Sequence, residues 1–176
     1  MIVTNNKKLA EKIRPLRNHG SSPKEKYKNL IYLVIGEGEE KNRLEKLTKK
    51  LKIENFVQFL GQLPHQRAME YISICDIFSL PSWNEGFGVV YLEAMAHGKP
   101  AIACQGQGIE DVIKDKINGL LVSPQNIEEL IEAFDYLLSS PEKTKKIGIE
   151  AQKTILENYT WREVVKKIIN IYKNFL

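Results

Sequence analysis

Residues 75–104 read CDIFSLPSWNEGFGVVYLEAMAHGKPAIAC, and the architecture can be built outward from them. Asp76–Leu80 is an apolar, strand-forming run stopped by Pro81, which has no N–H to offer a ladder. A polar loop with glycines at 86 and 88 leads into a helical pattern over Gly88–His97, closed by Gly98. Pro100–Cys104 is a second short apolar run. Strand, helix and strand within about 30 residues make a parallel βαβ unit.

The alternation continues in both directions. Upstream, Leu30–Ile35 (LIYLVI) is a continuous apolar strand ending in the turn Gly36-Glu37-Gly38. Glu39–Leu51 sets Leu44, Leu47 and Leu51 at helical spacing, Phe56–Leu60 is a strand, and His65–Cys75 carries an amphipathic stripe. Downstream, a short helix over Ile109–Ile113 precedes a strand over Gly119–Val122. Asn126–Ser139, Pro141–Asn158 and Trp161–Phe175 read as helices. Strands that are apolar throughout belong in sheets covered by helices on both faces. The pattern predicts an α/β fold: a Rossmann-like, doubly wound parallel sheet with C-terminal helices. Tyr159, Trp161, Tyr172 and Phe175 are predicted as core anchors of the closing helices. Ligands of such sheets bind outside the carboxyl ends of the strands, here the loops after Ile35, Leu60, Leu80 and Cys104.

A chain of 176 residues, 43% hydrophobic and 27% charged, is of ordinary globular composition, with room for one domain and a short appendage. No apolar run reaches the roughly 18 to 20 residues of a membrane span. The polar start Thr4-Asn5-Asn6-Lys7-Lys8 does not read as a secretory leader. Cys75 and Cys104 lie in apolar runs and are expected as core thiols of a reducing cytoplasm. The net charge of +4 is uneven: residues 1–29 hold eight Lys/Arg against two Glu, while the remainder nets −2. Those 29 residues contain one aromatic, Tyr27, so they lack the interleaved rings of a nucleic-acid face. The basic segment reads as a solvated helix surface.

Glu85 and Glu93 stand eight apart, one in the loop and one read as two turns into the helix, so both carboxylates are expected to face one cleft. Gly86 and Gly88 leave the amides of a helix N-terminus open to an anion such as phosphate. Carboxylates accept bonds from hydroxyls and amides hold a diphosphate, which together suit a sugar nucleotide. Clustered Cys and His for zinc are lacking, and no acidic cluster for Mg²⁺ stands out, so no metal is expected. His97 reads as a helix C-terminal residue opposing the dipole.

The segments VIGEGEE, VQFLGQLP, CDIFSLPSWNEGFGVVYLEAMAHGKP and DVIKDKINGLLV make residues 30–176 resemble a known family. It is the C-terminal, donor-binding domain of retaining GT-B glycosyltransferases, the glycosyl transferases group 1 family. Glu85 through Glu93 match its E-x7-E motif. The resemblance implies that Glu85 bonds hydroxyls of the transferred sugar in a catalytic role and that Glu93 accepts the ribose hydroxyls. Gly86, Phe87 and Gly88 would present amides to the sugar and diphosphate. Leu63 would border the nucleobase, and Gly36 with Gly38 would line the cleft floor; on its own, their spacing reads better as a strand-to-helix turn. The loop Gln105–Glu110 stands where the family has a glycine pair, and here reads QGQGIE. The implied activity is transfer from a nucleotide-diphosphate sugar by front-face displacement, in polysaccharide or glycoconjugate biosynthesis. The acceptor would be a glycan or lipid-linked molecule held by a separate N-terminal domain, in the cytoplasm or at the inner membrane surface. A non-catalytic nucleotide-binding fragment and a GT-B-type UDP-sugar epimerase remain the alternatives.

Residues 1–29 resemble something else. MIVTNNKKLAEKIRPLRNHGSSPKEKY is similar to a piece of the sugar aminotransferases that use pyridoxal phosphate (the DegT/DnrJ/EryC1/StrS group), with its Arg-Asn-His-Gly turn at Arg17–Gly20. The lysine that binds their cofactor would precede Met1, so no pyridoxal phosphate is expected. Residues 1–29 are therefore expected as an appended strand-helix segment, and residues 30–176 as a donor domain incomplete at its N-terminal end. The family's first strand and its diphosphate-gripping Arg and Lys have no match, and no motif gives Lys7, Lys8 or Lys12 that role. The 176-residue chain is accordingly expected to bind nucleoside diphosphate weakly and to transfer no sugar. The vacant central slot would be filled by Ile2–Thr4, parallel between Leu30–Ile35 and Asp76–Leu80, with Asn5–Leu16 as an amphipathic helix.

Overall fold

The computed structural model describes the backbone of residues 2–4 and the whole of residues 30–174. The expected helix at Asn5–Leu16, the basic residues Lys7, Lys8 and Lys12, the Arg17–Gly20 turn and Phe175 lie outside the described residues. The chain divides into two compact units, Met1–Ser79 and Leu80–Leu176.

The first unit contains strands β1 (Ile2–Thr4), β2 (Ile31–Ile35), β3 (Val57–Gly61) and β4 (Ile77–Ser79), with helices α1 (Lys41–Lys50) and α2 (His65–Ile74). Its strands lie in the order β3-β2-β1-β4. Strands β2 and β3 pair in parallel, Tyr32 opposite Val57 and Val34 opposite Phe59, with an irregularity between Val34 and Ile35. Strand β1 does occupy the slot between β2 and β4, but it runs antiparallel to both, with Ile2 opposite Leu33 and Phe78. The expected parallel direction is thus reversed. A short apolar run reads the same from either end, so composition selects the slot and leaves direction to the connections. Filling the slot pairs backbone groups of β2 and β4 that would otherwise be orphaned. Ile31, Leu33, Ile72, Cys75, Ile77 and Phe78 form the buried core of this unit. Helix α1 buries no residue fully, and Leu51 of its apolar stripe is 56% exposed.

The second unit contains α3 (Val89–Ala96), β5 (Ala101–Cys104), a 3₁₀ turn (Gly108–Asp111), β6 (Leu120–Val122), α4 (Ile127–Leu138), α5 (Pro141–Asn158) and α6 (Trp161–Lys173). Strands β5 and β6 pair in parallel, from Ile102 opposite Leu120 to Cys104 opposite Val122. Every residue of β5 is buried, as its unbroken apolar reading requires. Helix starts are capped: Asn126 Oδ1 accepts from Glu129 N at 3.1 Å, while Glu129 reaches back to Ser123 N at 2.6 Å. Ser140 caps α5, and Pro141 opens it at the position that needs no N–H. A Cβ at Gly148 would collide with the carbonyl of Gly98, so the glycine lets α5 lie directly on the end of α3. Gln152 Nε2 then donates to Ala96 O at 2.8 Å. Tyr91, Met95, Ile102, Ile109, Leu137 and Ile147 fill the core between these elements.

Helix α6 departs from expectation. None of its residues is buried, and Trp161 and Tyr172 are 85% and 68% exposed instead of anchoring a core. Tyr159, just before it, is half-buried. Amphipathic spacing records that a helix has an apolar face, not that the face is covered. Among the described residues no helix is long and apolar enough to cross a membrane. Cys75 and Cys104 are both buried thiols, as expected of small core residues.

Candidate functional site

The E-x7-E segment is held by contacts within the second unit. Leu80 N donates to Ile102 O at 3.1 Å, tying the start of the loop to β5. The Tyr91 hydroxyl, one turn into α3, donates back to Leu80 O, which also accepts from Ser82 N at 2.7 Å. Burial, with smaller contributions from nearby Cys104 and Glu85, pushes the Tyr91 phenol well above its ordinary pKa. The hydroxyl therefore stays protonated and remains a donor.

Gly88 is the N-cap of α3 and sits in the left-handed region at φ 71. A Cβ there would lie 2.6 Å from the Tyr91 ring and 3.2 Å from Glu85 Cγ, so both backbone shape and space demand glycine. On the loop's other side, Gln107 Oε1 accepts from Glu85 N at 3.0 Å and Gly108 N donates to Gly86 O at 3.1 Å. A Cβ on Gly108 would stand 2.5 Å from Gly86 O. Gln107 is itself steadied, its Nε2 donating to Gly106 O at 3.0 Å, and Gly106 N donates to Glu110 Oε2 at 2.6 Å.

Helix α3 begins at Val89, one residue later than expected, and Glu93, four residues on, stands one turn into it, not the expected two. Tyr91, Ala94 and Met95 make its buried face. Glu93 shares the opposite face with Val89, which is 62% exposed. Glu85 and Glu93 are half-buried, and Gly86 and Phe87 are exposed. The second unit thus brings together Glu85, Gly86, Phe87, Gly88 and Glu93 on one loop and helix start. A cavity of about 120 Å³ adjoins the loop, lined by Pro81, Trp83, Cys104, Gln125 and Ile127.

The remaining expected residues belong to the first unit. Gly36 and Gly38 are exposed in the turn between β2 and α1, and Leu63 is half-buried between β3 and α2. Gly36 N donates to Gly61 O at 2.8 Å, and Gly61 is left-handed at φ 71 beneath the Glu37–Lys41 ion pair of 2.6 Å. Sequence reasoning missed Gln107, Gly108 and Tyr91 as the groups that hold the loop. The signal for the first two was the doubled glycine of residues 106–108 near a carboxyl strand end. Among the described residues no three His, Cys, Asp or Glu side chains converge as a metal site.

A Rossmann-like α/β chain with a glycine-shaped, carboxylate-bearing loop at a helix start defines a broad class of ligand-binding folds. The comparisons narrow it: the chain belongs to the glycosyl transferases group 1 family, which matches residues 5–154. That match takes in most of the basic segment that reads as a separate appendage. An uncharacterised glycosyltransferase of Methanocaldococcus jannaschii is 32% identical over 145 residues, covering 82% of this chain and 37% of the relative. Sucrose-phosphate synthase of Thermosynechococcus elongatus superposes with a TM-score of 0.71 at 27% identity, over 81% of this chain and 38% of that one. The C-terminal domain of a glycosyl transferase group 1 protein from Francisella tularensis shares the fold with a TM-score of 0.72 at 24% identity, over 87% of this chain and 77% of that domain. The chain spans well under half the length of the full-length relatives it matches.

Proposed function

We propose that this chain is the part of a retaining glycosyltransferase that binds the nucleotide-diphosphate sugar, in polysaccharide or glycoconjugate biosynthesis. The observation that carries the reading is the doubly held loop: Gln107 and Gly108 bond Glu85 N and Gly86 O on one side, and Tyr91 bonds Leu80 O at the start of the loop on the other. A preorganised loop needs no reordering when charge develops on a departing diphosphate. In this reading Glu93 accepts the ribose hydroxyls, Glu85 accepts hydroxyls of the sugar, and the amides of Gly86–Gly88 face the diphosphate. The bond from the anomeric carbon to the diphosphate breaks, its electron pair leaves with the phosphate oxygen, and an acceptor hydroxyl oxygen bonds the same face while its proton passes to the departing phosphate oxygen. The acceptor is a glycan or lipid-linked molecule, and the chain works in the cytoplasm or at the inner membrane surface. Neither a metal nor pyridoxal phosphate takes part.

Calorimetry with UDP and GDP tests the reading. Glu93→Ala is expected to weaken nucleotide binding by about 1.5–3 kcal/mol, the worth of a hydrogen bond to a charged group. Equal affinity in parent and variant would remove Glu93 from the site, and no binding of either nucleotide by the parent would remove the reading.

A further inference from the structure

We propose that the second unit carries another ligand site, for a phosphate group, at the opposite end of β6 from the donor loop. Gln105 N donates to Val122 O, which places residues 105–108 past the carboxyl end of β6. Lys116 stands before the start of β6, in the turn closed by Lys116 N donating to Gly119 O at 2.8 Å. Here a cavity of about 610 Å³ is lined by Lys116, Tyr136, Ser140, Lys143, Lys146 and Glu150, among others.

Three lysines, Lys116, Lys143 and Lys146, line this cavity from two separate segments. Lys116 Nζ lies 5.9 Å and Lys143 Nζ 4.1 Å from the centre of the one Tyr136 ring. The ring's negative faces hold both cations, although they repel each other. Among the described residues, ion pairs form elsewhere, at Lys41, Arg43, Arg67 and Lys166. Glu142 and Glu150 also line the cavity, two carboxylates against three ammonium groups. Glu142 occupies the first turn of α5, where a carboxylate balances the helix dipole.

Lys116 is held in place against its own preference. Its φ of 59 is in the left-handed region that favours glycine. The turn persists because buried Asn118 braces it: its Oδ1 accepts from Lys114 N at 2.7 Å, and its Nδ2 donates to Val112 O and Thr154 Oγ1, both at 3.1 Å. A strained backbone fixed by its surroundings, presenting a cation to a cavity that holds two more, fits a ligand with several acceptor oxygens. Exposed Ile117 beside it offers an apolar flank, which suits an organic phosphate. That chemistry occurs in soluble phosphorylated compounds and in phospholipid headgroups alike.

The test uses the full chain and two probes. Amide NMR signals are followed during titration with inorganic pyrophosphate in the presence of UDP, and flotation is measured with phosphatidylcholine vesicles containing phosphatidylglycerol. Saturable shifts at residues 116–119, 136 and 140–146 are expected, with affinity falling about tenfold or more in Lys143→Gln/Lys146→Gln. Thermal unfolding of that variant confirms that it folds. Glu93→Ala should leave these shifts intact, which separates this site from the donor loop. Pyrophosphate binding without flotation assigns a soluble phosphate, and flotation lost in the double variant assigns a headgroup. The proposal is overturned if neither probe binds, or if the variant binds as the parent does.

Discussion

Gly36-Glu37-Gly38 and Glu85-Gly86-Phe87-Gly88 are both glycine-bearing turns that feed a helix, α1 in the first unit and α3 in the second. Around Gly36 and Gly38 an added Cβ would meet nothing within 4 Å, and α1 buries no residue fully. Around Gly88 it would meet the Tyr91 ring, and on Gly108, across from the loop, the carbonyl of Gly86. Glycine spacing reports where the backbone is permissive, not how closely the surroundings press on it. Only the second loop is crowded at its own glycine, Gly88, and only that loop carries both glutamates.

The largest effect should come from the glycine where conformation and crowding coincide. Gly88→Ala places a Cβ at φ 71, which costs roughly 1–2 kcal/mol. Displacing the Tyr91 ring adds about 1–3 kcal/mol. Urea unfolding should show a total loss of about 2–5 kcal/mol. A midpoint unchanged from the parent would erase the contrast between the loops.

Gly108→Ala should follow at about 1–3 kcal/mol, because its Cβ meets backbone that has to shift rather than a flexible side chain end. Moving Gly86 also moves amides assigned to the diphosphate, so calorimetry should show weaker UDP binding along with the stability loss. Lost stability with full UDP affinity would sharpen the comparison differently, making the contact structural alone.

Tyr91→Phe isolates the other side of the loop. Leu80 O keeps its bond from Ser82 N, so it is not orphaned when the phenol is removed. The expected cost is then the net worth of one hydrogen bond, about 1 kcal/mol, read from urea unfolding. A loss several times larger would mean that the ring's position, and not only its hydroxyl, depends on that bond.

Much of this arrangement was legible beforehand, and the limits have a common cause. Ala101–Cys104 was readable as a strand because burial on both faces demands unbroken apolar sequence. Glu85 and Glu93 were readable because their glycines and flanking strand occur together. The direction of β1 was not, since Ile-Val-Thr carries no polarity of pairing. Gln107 was not, because its bond to Glu85 N spans 22 residues and no periodicity links them. The exposure of Trp161 and Tyr172 was not, because spacing shows an apolar face without showing its cover.

The smallest effect should appear at the open turn, and its sign is the informative part. Gly38 lies outside the left-handed region, and a Cβ there meets nothing within 4 Å. Alanine therefore introduces neither strain nor collision in the folded chain. It does restrict the unfolded chain, which at a compatible site stabilises by about 0.4–1 kcal/mol. Gly38→Ala should thus raise the urea midpoint slightly while Gly88→Ala lowers it, the same substitution giving opposite signs in two similar turns. A loss of stability at Gly38 would mean that this turn, like the other, is pressed by its surroundings, and the difference between the loops would close.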